Sequence, residues 1–373
     1  MSQSINQAMN QAINPEKVKS ILLFKLRYVG DVLMTTPAIR LLRQTYPEAR
    51  ITMAVNKGTE DVLRHNPHLN QILTIDREIV EKAPFYTRLP YEWGLLKMLR
   101  KGDYDLSVDF DSGERAAYLA LLGGIDVRIG FHYQKGLRRL IFNHQVSIKR
   151  SLHTVERNLM LVEKTLGLIR KDDRLELYTG PEEDRRMALW LRRHRLSGKD
   201  LVVIHPGARF WFKRWPAKKW ASLVDILQGN LGLSVVITGG GREMEDVRAI
   251  LSKMKTPAYS LAGQTTVLEL AALIKQATLF IGNDSGPMHI AAAMGTPVIA
   301  LFGPTEPALW KPWGKGHVVI SKQVTCSPCK YTHCDMGMEN CMEQISIEDV
   351  LHTICQYLER PMVPREAVWS YLL

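Results

Sequence analysis

Residues 279–305 read LFIGNDSGPMHIAAAMGTPVIALFGPT, and this stretch defines the fold more clearly than any other part of the chain. The apolar run 279–281 predicts a strand, and the small residues 289–294 predict a helix. A second apolar run, 297–302, predicts another strand. Two strands joined through a helix form a β-α-β unit, whose two strand-ending turns lie at the same edge of a parallel sheet.

The turn after the first of these strands is Gly-Asn-Asp-Ser-Gly, residues 282–286, and it leads into the helix. A helix N-terminus presents N–H groups and a positive dipole end, which favour an anion. Ser285 and Gly286 leave room for a phosphate to approach the backbone, and His289 could reach the same oxygen. Asp284 would repel a phosphate, so we expect it to bind sugar or ribose hydroxyls. An ordinary capped turn is the alternative interpretation.

The alternation of strands and helices continues through the rest of the chain. Apolar runs predict further strands at 19–26, 50–55, 71–75, 106–110, 200–204 and 233–238. Helical patterns separate them, and strands that alternate with helices form doubly wound parallel sheets. We therefore predict an α/β fold of two Rossmann-like doubly wound domains facing across a cleft, with a boundary between 172 and 197.

The composition indicates a soluble globular protein with anionic partners. The chain has 373 residues, of which 46% are hydrophobic, and a net charge of +11. No apolar run reaches the roughly 18 residues that a membrane span needs, and the N-terminus lacks the apolar core of a secretory signal. We expect a cytoplasmic protein. Eleven basic residues against one acid in 185–219 favour phosphates, nucleic acid or an anionic membrane surface as partners.

Four cysteines lie close together in the sequence, at 326, 329, 334 and 341. The first pair has the C-x2-C spacing of zinc sites, but the later spacings match no standard zinc finger. A structural metal and free thiols that pack a loop both remain open.

Several segments resemble glycosyltransferase family 9, the ADP-heptose:lipopolysaccharide heptosyltransferases. Residues 25–40, KLRYVGDVLMTTPAIR, are similar to its N-terminal signature. His205-Pro-Gly-Ala-Arg209, Lys213-Arg-Trp-Pro216 and 282–289 are similar to its donor-site signatures. Residues 151–157, SLHTVER, also match a family segment. Residues 25–37 and Trp310-Lys-Pro-Trp313 most resemble the core heptosyltransferase III subgroup.

The resemblance implies the GT-B fold and an inverting transfer of heptose from ADP-heptose to a hydroxyl of the lipopolysaccharide inner core. It implies no cofactor. We predict a flexible tail at 1–17, an acceptor-binding domain at 18–178, a donor domain at 179–346 and a final helix and tail at 347–373. The expected location is the cytoplasmic face of the inner membrane, as a peripheral protein on its anionic surface.

Inverting transfer needs a base for the acceptor proton and positive charge on the departing diphosphate. Asp31, where a strand meets a helix, is the candidate base, with a helix N-cap as its alternative role. Lys213 is the candidate catalytic cation, and Arg214 is its nearest competitor.

The other predicted donor-site residues are His205, Gly207, Arg209, Asp284, Ser285, Gly286 and His289. For the acceptor we predict Arg115, Arg138, Arg139 and Arg157, whose charges would hold phosphates or sugar-acid carboxylates. Asp109 and Asp111 form a D-x-D pattern, but it lies in the half without the phosphate turn, so we expect no catalytic metal.

Two other functions compete with this prediction. One is heptosyltransferase II or another nucleotide-sugar enzyme on the same fold, such as an epimerase. The other is nucleic-acid binding, which the basic and aromatic stretch 209–215, RFWFKRW, would support by stacking on bases. No known nucleic-acid motif is present, so we predict no nucleic-acid partner.

Overall fold

The chain folds as two α/β units, Met1–Tyr178 and Thr179–Leu373, in a computed structural model. The structure describes residues 17–111, 113–132, 138–329, 333–337, 340–364, 366 and 368. Nearly all of the predicted N-terminal tail therefore lies outside the described residues, as do the last five residues.

The N-terminal unit is built on six strands separated by helices. The strands are β1 (Ser20–Lys25), β2 (Arg50–Asn56), β3 (Gln71–Ile75), β4 (Leu106–Asp109), β5 (Val127–Phe131) and β6 (His144–Val146). The helices are α1 (Val29–Leu33), α2 (Thr36–Thr45), α3 (Arg77–Lys82), α4 (Phe85–Lys101), α5 (Arg115–Leu122), α6 (Arg138–Ile141) and α7 (Thr154–Leu166), with a 3-10 turn at Glu60–Leu63.

The C-terminal unit repeats this plan. Its strands are β7 (Leu201–His205), β8 (Ser234–Ile237), β9 (Tyr259–Ser260), β10 (Leu279–Asn283), β11 (Val298–Phe302) and β12 (Val318–Ser321). Its helices are α8 (Pro181–Arg193), α9 (Ala217–Gly229), α10 (Met244–Leu251), α11 (Val267–Ile274), α12 (Gly286–Ala293), α13 (Pro307–Trp310) and α14 (Ile347–Tyr357), with 3-10 turns at Trp211–Lys213 and Gly241–Glu243.

Both sheets are parallel and have the same strand order. The first runs β3-β2-β1-β4-β5-β6, and the second runs β12-β11-β10-β7-β8-β9, which is the same order read from the other end. In the first sheet, consecutive strands are added in one direction up to β3 and in the opposite direction from β4, so the switch lies between β1 and β4. In the second sheet, the same switch lies between β7 and β10. Ligands of doubly wound folds bind at this switch point, beyond the carboxyl ends of the strands.

The central strands are buried on both faces, as expected for parallel sheets covered by helices on each side. Ile21–Phe24 in β1 and Leu279–Ile281 in β10 have no exposed surface. Trp215 and Trp220 pack edge to face in the second core, with ring centroids 5.0 Å apart. The apolar runs that predicted these strands therefore form the centre of each unit.

The helix predicted after β1 is divided in two. The hydroxyl of Thr35 donates to the Val32 carbonyl at 2.7 Å, and that of Thr36 donates to the Leu33 carbonyl at 2.8 Å. Pro37 then occupies the first turn of α2. A proline at this position starts a helix readily because it needs no N–H donor there.

In the part of the chain that the structure describes, no helix has the length and apolar character to span a bilayer.

Candidate active site

The switch point of the N-terminal sheet brings charged side chains together at the ends of β1 and β4. Lys25 ends β1, is 5% exposed, and donates from Nζ to the carbonyl of Phe110 at 2.8 Å. Arg27 donates from Nε to Oδ1 of Asp111 at 2.7 Å. Asp31 follows on α1, so this edge carries acids and bases in one partly buried cluster.

Asp31 is partly buried, and the pKa of its carboxyl group is raised. Burial raises the pKa of its carboxyl group, while the charge of Lys25 and the N–H of Tyr28 oppose that rise. A base works best when its pKa is close to the working pH, so a raised aspartate pKa favours this role. Tyr28 occupies the N-cap of α1, and Asp31 is the third helical residue. Asp31 is thus not the N-cap residue, as the alternative interpretation would require.

Lys25 is a member of this cluster that sequence reasoning missed. Burial lowers the pKa of its ammonium, while the carboxylates of Asp31, Asp111 and Asp109 oppose that change. A buried ammonium is tolerated only with hydrogen bonds and opposite charges close by. The only signal in the sequence is a lysine at the end of an otherwise apolar strand.

The two carboxylates of the D-x-D pattern hold the ends of β1 and β4. The Asp111 N–H donates to Oδ1 of Asp109 at 2.7 Å, and the Leu26 N–H donates to Oδ2 of Asp111 at 3.2 Å. Asp111 also binds Arg27. Among the residues that the structure describes, no three His, Cys, Asp or Glu side chains are placed to hold a metal ion.

The predicted acceptor arginines are in different environments. Arg115 starts α5 and forms a two-pronged ion pair with Glu92, at 2.9 and 3.1 Å. The guanidinium of Arg157, in α7, lies 5.2 Å from the ring centre of Phe131. Arg138 and Arg139 lie on α6, but their side chains are outside the described residues. The charge of Arg115 is therefore already matched within the unit.

The switch point of the C-terminal sheet is organised by Asn283, which sequence reasoning quoted but did not assign to the site. Its side chain is completely buried at the end of β10. The amide Nδ2 donates to the Pro206 carbonyl at 2.6 Å, and Oδ1 accepts from the Trp215 N–H at 3.3 Å. One amide thus fixes the turn after β7 and the segment that carries Lys213.

The turn that follows Asn283 leads into the N-terminus of α12. Ser285 is the N-cap of α12, and Pro287 lies in the first turn of this helix. Oγ of Ser285 is buried and has no hydrogen-bond partner among the described residues. A buried hydroxyl without a partner is costly unless a ligand or water completes it. The unpartnered hydroxyl thus lies at the N-terminus of α12, with buried His289 one turn further along the helix.

Lys213 reaches this turn, whereas its neighbour Arg214 does not. Nζ of Lys213 binds Oδ2 of Asp284 at 2.7 Å. Arg214 donates to the Ala208 carbonyl at 2.9 Å and binds Asp246 at 2.8 Å, so it holds the loop together. The structure thus brings Lys213, Asp284 and Ser285 together. The Arg209 guanidinium lies 5.1 Å from the ring centre of Phe210.

His205 and Gly207 form a second part of this edge, with an unexpected partner, Glu243. Nε2 of His205 is 3.2 Å from Oε2 of Glu243, and its Nδ1 is 3.2 Å from Oγ1 of Thr238. Burial alone would raise the pKa of Glu243. The hydrogen bond and charge of His205, with the Gly240 N–H, instead lower that pKa to about 2.

A side chain at position 207 would displace Glu243, because its Cβ atom would overlap the Glu243 carboxylate. Within the triple glycine at 239–241, the Gly240 N–H donates to Oε2 of Glu243 at 2.7 Å. The sequence signal for Glu243 is its place two residues after that glycine run.

The four clustered cysteines share a small cavity beside this edge. The cavity measures about 20 Å³, and its lining includes Cys326, Cys329, Cys334, Cys341, Phe212 and Pro304. All four cysteines have free thiols, and burial raises the pKa of the Cys341 thiol. Free thiols that pack a loop, one of the two open interpretations, match this arrangement.

The aromatic residues of 209–215 do not form a stacking surface for bases. Phe212 and Trp215 are 3% and 2% exposed, and the Trp215 Nε1–H donates to the Ile345 carbonyl at 3.0 Å. Trp211 is the large aromatic side chain of this stretch that is exposed. Binding of single-stranded nucleic acid relies on several exposed aromatics along a strand, so this geometry does not favour that function.

Comparison with known proteins identifies the class to which this fold and site belong. The sequence profile of glycosyltransferase family 9 (heptosyltransferase) matches residues 93–339, more than half of the chain. A curated relative, "Lipopolysaccharide heptosyltransferase 3" of Escherichia coli (strain K12), is 37% identical over 77% of this chain and 83% of that protein. The chain therefore belongs to glycosyltransferase family 9, and it is a glycosyltransferase.

Solved structures support the same conclusion for the fold. A family 9 glycosyl transferase from Veillonella parvula DSM 2008 superposes with a TM-score of 0.78 and 25% identity, over 91% of this chain and 97% of that one. E. coli ADP-heptose lps heptosyltransferase II superposes with a TM-score of 0.72 and 24% identity, over 91% and 98%. The predicted GT-B fold class, with two Rossmann-like parallel-sheet units, is confirmed.

Proposed function

We propose that this chain transfers heptose, with inversion, from ADP-heptose to the inner core of lipopolysaccharide, as a heptosyltransferase III-like enzyme. The observation that carries this proposal is the 37% identity to a lipopolysaccharide heptosyltransferase 3 over most of both chains. The raised pKa of Asp31 at the first switch point supports the chemistry.

The proposed reaction is a displacement at the anomeric carbon of the donor. The acceptor hydroxyl attacks that carbon, the new C–O bond forms, and the bond to the diphosphate oxygen breaks. Asp31 accepts the hydroxyl proton, so its carboxylate must be ionised before the reaction. ADP leaves with the bonding electron pair and gains negative charge on its terminal phosphate.

We assign the stabilisation of this negative charge to residues of the C-terminal unit. The N-terminus of α12, Ser285 and Lys213 would bind the diphosphate, because preorganised donors and cations act most strongly where charge develops. Lys213 binds Asp284 in this structure. The diphosphate would therefore replace the Asp284 carboxylate as its partner, and Asp284 would accept hydrogen bonds from donor hydroxyls. His205, Gly207, Arg209 and His289 complete the proposed donor site.

We assign the acceptor to the unit before Tyr178, where Asp31 and the proposed arginines are found. Arg138, Arg139 and Arg157 would hold core phosphates or sugar-acid carboxylates, and Arg115 would do so by exchanging Glu92 for the acceptor. The inner core is linked to a lipid, so the proposed location is the cytoplasmic face of the inner membrane.

Mass spectrometry of the products tests this proposal directly. The full chain is mixed with ADP-heptose and lipopolysaccharide cores truncated at successive heptoses, and the expected product carries one added heptose on one of these acceptors. The Asp31→Asn variant is the control and should form product about 100- to 10,000-fold more slowly. Transfer from a UDP-sugar, or isomerisation of a nucleotide sugar without an acceptor, would instead support another nucleotide-sugar enzyme.

A further inference from the structure

Helix α4 has an exposed apolar stripe in addition to the side that packs on the core. Phe85, Tyr86, Leu89 and Trp93 are 66%, 77%, 47% and 55% exposed. Phe85, Leu89 and Trp93 are four residues apart, and this spacing places them along one face of the helix. Four large apolar side chains on one short stretch form a contiguous patch rather than the scattered exposure of ordinary surfaces.

The exposure of this stripe does not come from a loosely attached helix. Leu95 and Leu99 of α4 are buried in the core of the N-terminal unit. Glu92 binds Arg115 through both carboxylate oxygens, and the hydroxyl of Tyr91 accepts from the Asp76 N–H at 2.7 Å. The helix is therefore fixed by one side while it presents a different apolar side outward.

The charge of α4 complements an anionic surface. The helix contains four basic residues, Arg88, Lys97, Arg100 and Lys101, and a single acid, Glu92. That acid is already matched by Arg115. Lys97 lies over the Trp93 ring, with Nζ 5.8 Å from its centre, so positive charge borders the apolar stripe.

Two further exposed leucines lie beside the C-terminal end of α4. Arg100 donates from Nε to the Leu122 carbonyl at 3.1 Å. Leu121 and Leu122, the last residues of α5, are both exposed. Exposed apolar side chains are therefore present on α5 as well as on α4.

We propose that this stripe docks the protein on an anionic phospholipid bilayer. Phe85, Leu89 and Trp93 enter the headgroup region, and Lys97 and Lys101 bind lipid phosphates. Aromatic and leucine side chains beside lysine and arginine are the composition of helices that lie in membrane interfaces. Each basic residue near an anionic leaflet contributes favourably, and salt weakens this contribution.

A bilayer suits this surface better than a second copy of the chain does. In a two-fold dimer the same patch meets itself, so two helices, each with four basic residues and one acid that is already paired, would share one interface. The inference deepens the proposed function, since a lipid-linked acceptor requires the enzyme to work at a membrane.

Vesicle binding of the full chain provides the first test. The parent should sediment with vesicles of phosphatidylcholine and phosphatidylglycerol, bind pure phosphatidylcholine weakly, and dissociate in 0.5 M salt, about three times the physiological concentration. Combining Phe85→Ser, Leu89→Ser and Trp93→Ser should lower the partition coefficient at least about tenfold. The charge reversal Lys97→Glu with Lys101→Glu should do the same independently.

A matched control removes apolar residues that are exposed elsewhere. Ile169 and Leu189 are 86% and 56% exposed, and Ile169→Ser with Leu189→Ser should bind vesicles like the parent. Binding by the triple serine variant equal to that of the parent would overturn the proposal. A parent dimer that the same variant converts to monomers would also overturn it, because the stripe would then be a self-association surface.

Activity measurements separate this inference from the proposed function. On a deacylated, water-soluble core acceptor the triple serine variant should turn over like the parent. On the intact acceptor embedded in anionic vesicles it should be at least about tenfold slower, in line with its weaker partitioning. Equal slowing on both acceptors would overturn a membrane role. If no heptose transfer is found with any acceptor, the proposed function fails while vesicle binding still decides this inference.

Discussion

The two sheets share one strand order, yet their switch points hold different chemistry. At the end of β1, Lys25 and Asp31 have shifted pKa values and lie within a network of charges. At the end of β10, Asn283 and Ser285 supply a neutral amide and a buried hydroxyl, followed by a helix N-terminus. The same topology thus carries different side chains at its two switch points, and we propose proton transfer for the first and anion binding for the second.

The strongest test of this difference is Asp31→Asn. Loss of a general base should lower kcat about 100- to 10,000-fold. The dissociation constant for ADP should stay nearly the same, because the proposed ADP-binding residues belong to the other unit. Steady-state kinetics and calorimetry measure the two quantities.

Asp105→Asn is the matched control. Asp105 is at the amino ends of the same strands, where Oδ2 accepts from the Lys19 and Ser20 N–H groups at 2.8 Å. This change should lower stability and leave kcat close to that of the parent. A near-normal kcat in Asp31→Asn would remove the proposed catalytic role of the first switch point.

A second test compares Lys213→Ala with Arg214→Ala. Removing a charge-assisted hydrogen bond costs about 1.5–3 kcal/mol, or roughly a 10- to 150-fold loss in kcat/KM for the Lys213 variant. Arg214 binds Ala208 and Asp246 instead, so its loss should lower the melting temperature more than the turnover. The opposite pattern would show that the two neighbours have exchanged roles.

Lys25→Met changes the pH dependence of turnover. The pKa of Asp31 is already raised by burial, and Lys25 opposes this rise. Asp31 must be ionised to accept a proton, so activity falls as pH decreases through its pKa. Without Lys25 that pKa rises further, and the acid limb of the kcat/KM profile should move to higher pH, with little change well above it. An unmoved acid limb, in a variant whose circular dichroism matches the parent, would show that the two groups are not coupled.

Gly207→Ala should have a smaller effect, on stability at the second switch point. The new methyl group would displace the Glu243 carboxylate from His205, and leaving a buried polar partner unpaired costs about 1–3 kcal/mol. Gly241→Ala is the control, because a Cβ atom there meets nothing within 4 Å. Urea denaturation measures the stability of both variants. In a Glu243→Ala background, the loss of stability caused by Gly207→Ala should largely disappear.

This stability difference should also depend on pH. The Glu243 pKa is lowered from 4.5 to about 2, so its interaction with His205 stabilises the fold above the higher value. That contribution is lost as pH falls toward the lower value. The difference in the free energy of unfolding between the parent and Gly207→Ala should therefore become smaller in acid. A difference that stays constant with pH would assign the effect to another contact.

The smallest expected effect is that of EDTA on turnover, which should be none. The proposed diphosphate site consists of a helix N-terminus and Lys213, and Asp109 and Asp111 are engaged with Arg27 and backbone groups. Loss of activity in EDTA, restored by Mg²⁺ or Mn²⁺, would contradict this assignment.

The sequence was sufficient to predict the fold class and the central strands. Long apolar runs form β1, β7, β10 and β11, because strands buried on both faces need continuous hydrophobic residues. Four outer strands were not predicted, namely β5, β6, β9 and β12. They are short or carry polar residues, such as Arg128 in β5, and pairing with neighbours in the sheet defines them. Local sequence patterns carry little information about strands that depend on such pairing.

The site was less accessible to sequence reasoning where it depends on distant contacts. Lys25 is buried because the carbonyl of Phe110, 85 residues away, accepts from it. The Arg115 ion pair depends on Glu92, 23 residues earlier and on a different helix. Glu243 was missed because its contact with His205 forms only when β7 and β8 are adjacent. The turn at 282–286 was visible because all its parts are local.

The ion pair between Lys213 and Asp284 has a consequence for the affinity of the proposed donor. Since the ammonium already holds a carboxylate at 2.7 Å, binding of a diphosphate is an exchange of one anion for another. Asp284 then acts as a tethered competitor with a high effective concentration, which lowers the apparent affinity. This competitor also favours release of ADP after transfer, because the vacated lysine regains its carboxylate at once. In the proposed reaction, turnover would therefore gain from an interaction that weakens donor binding.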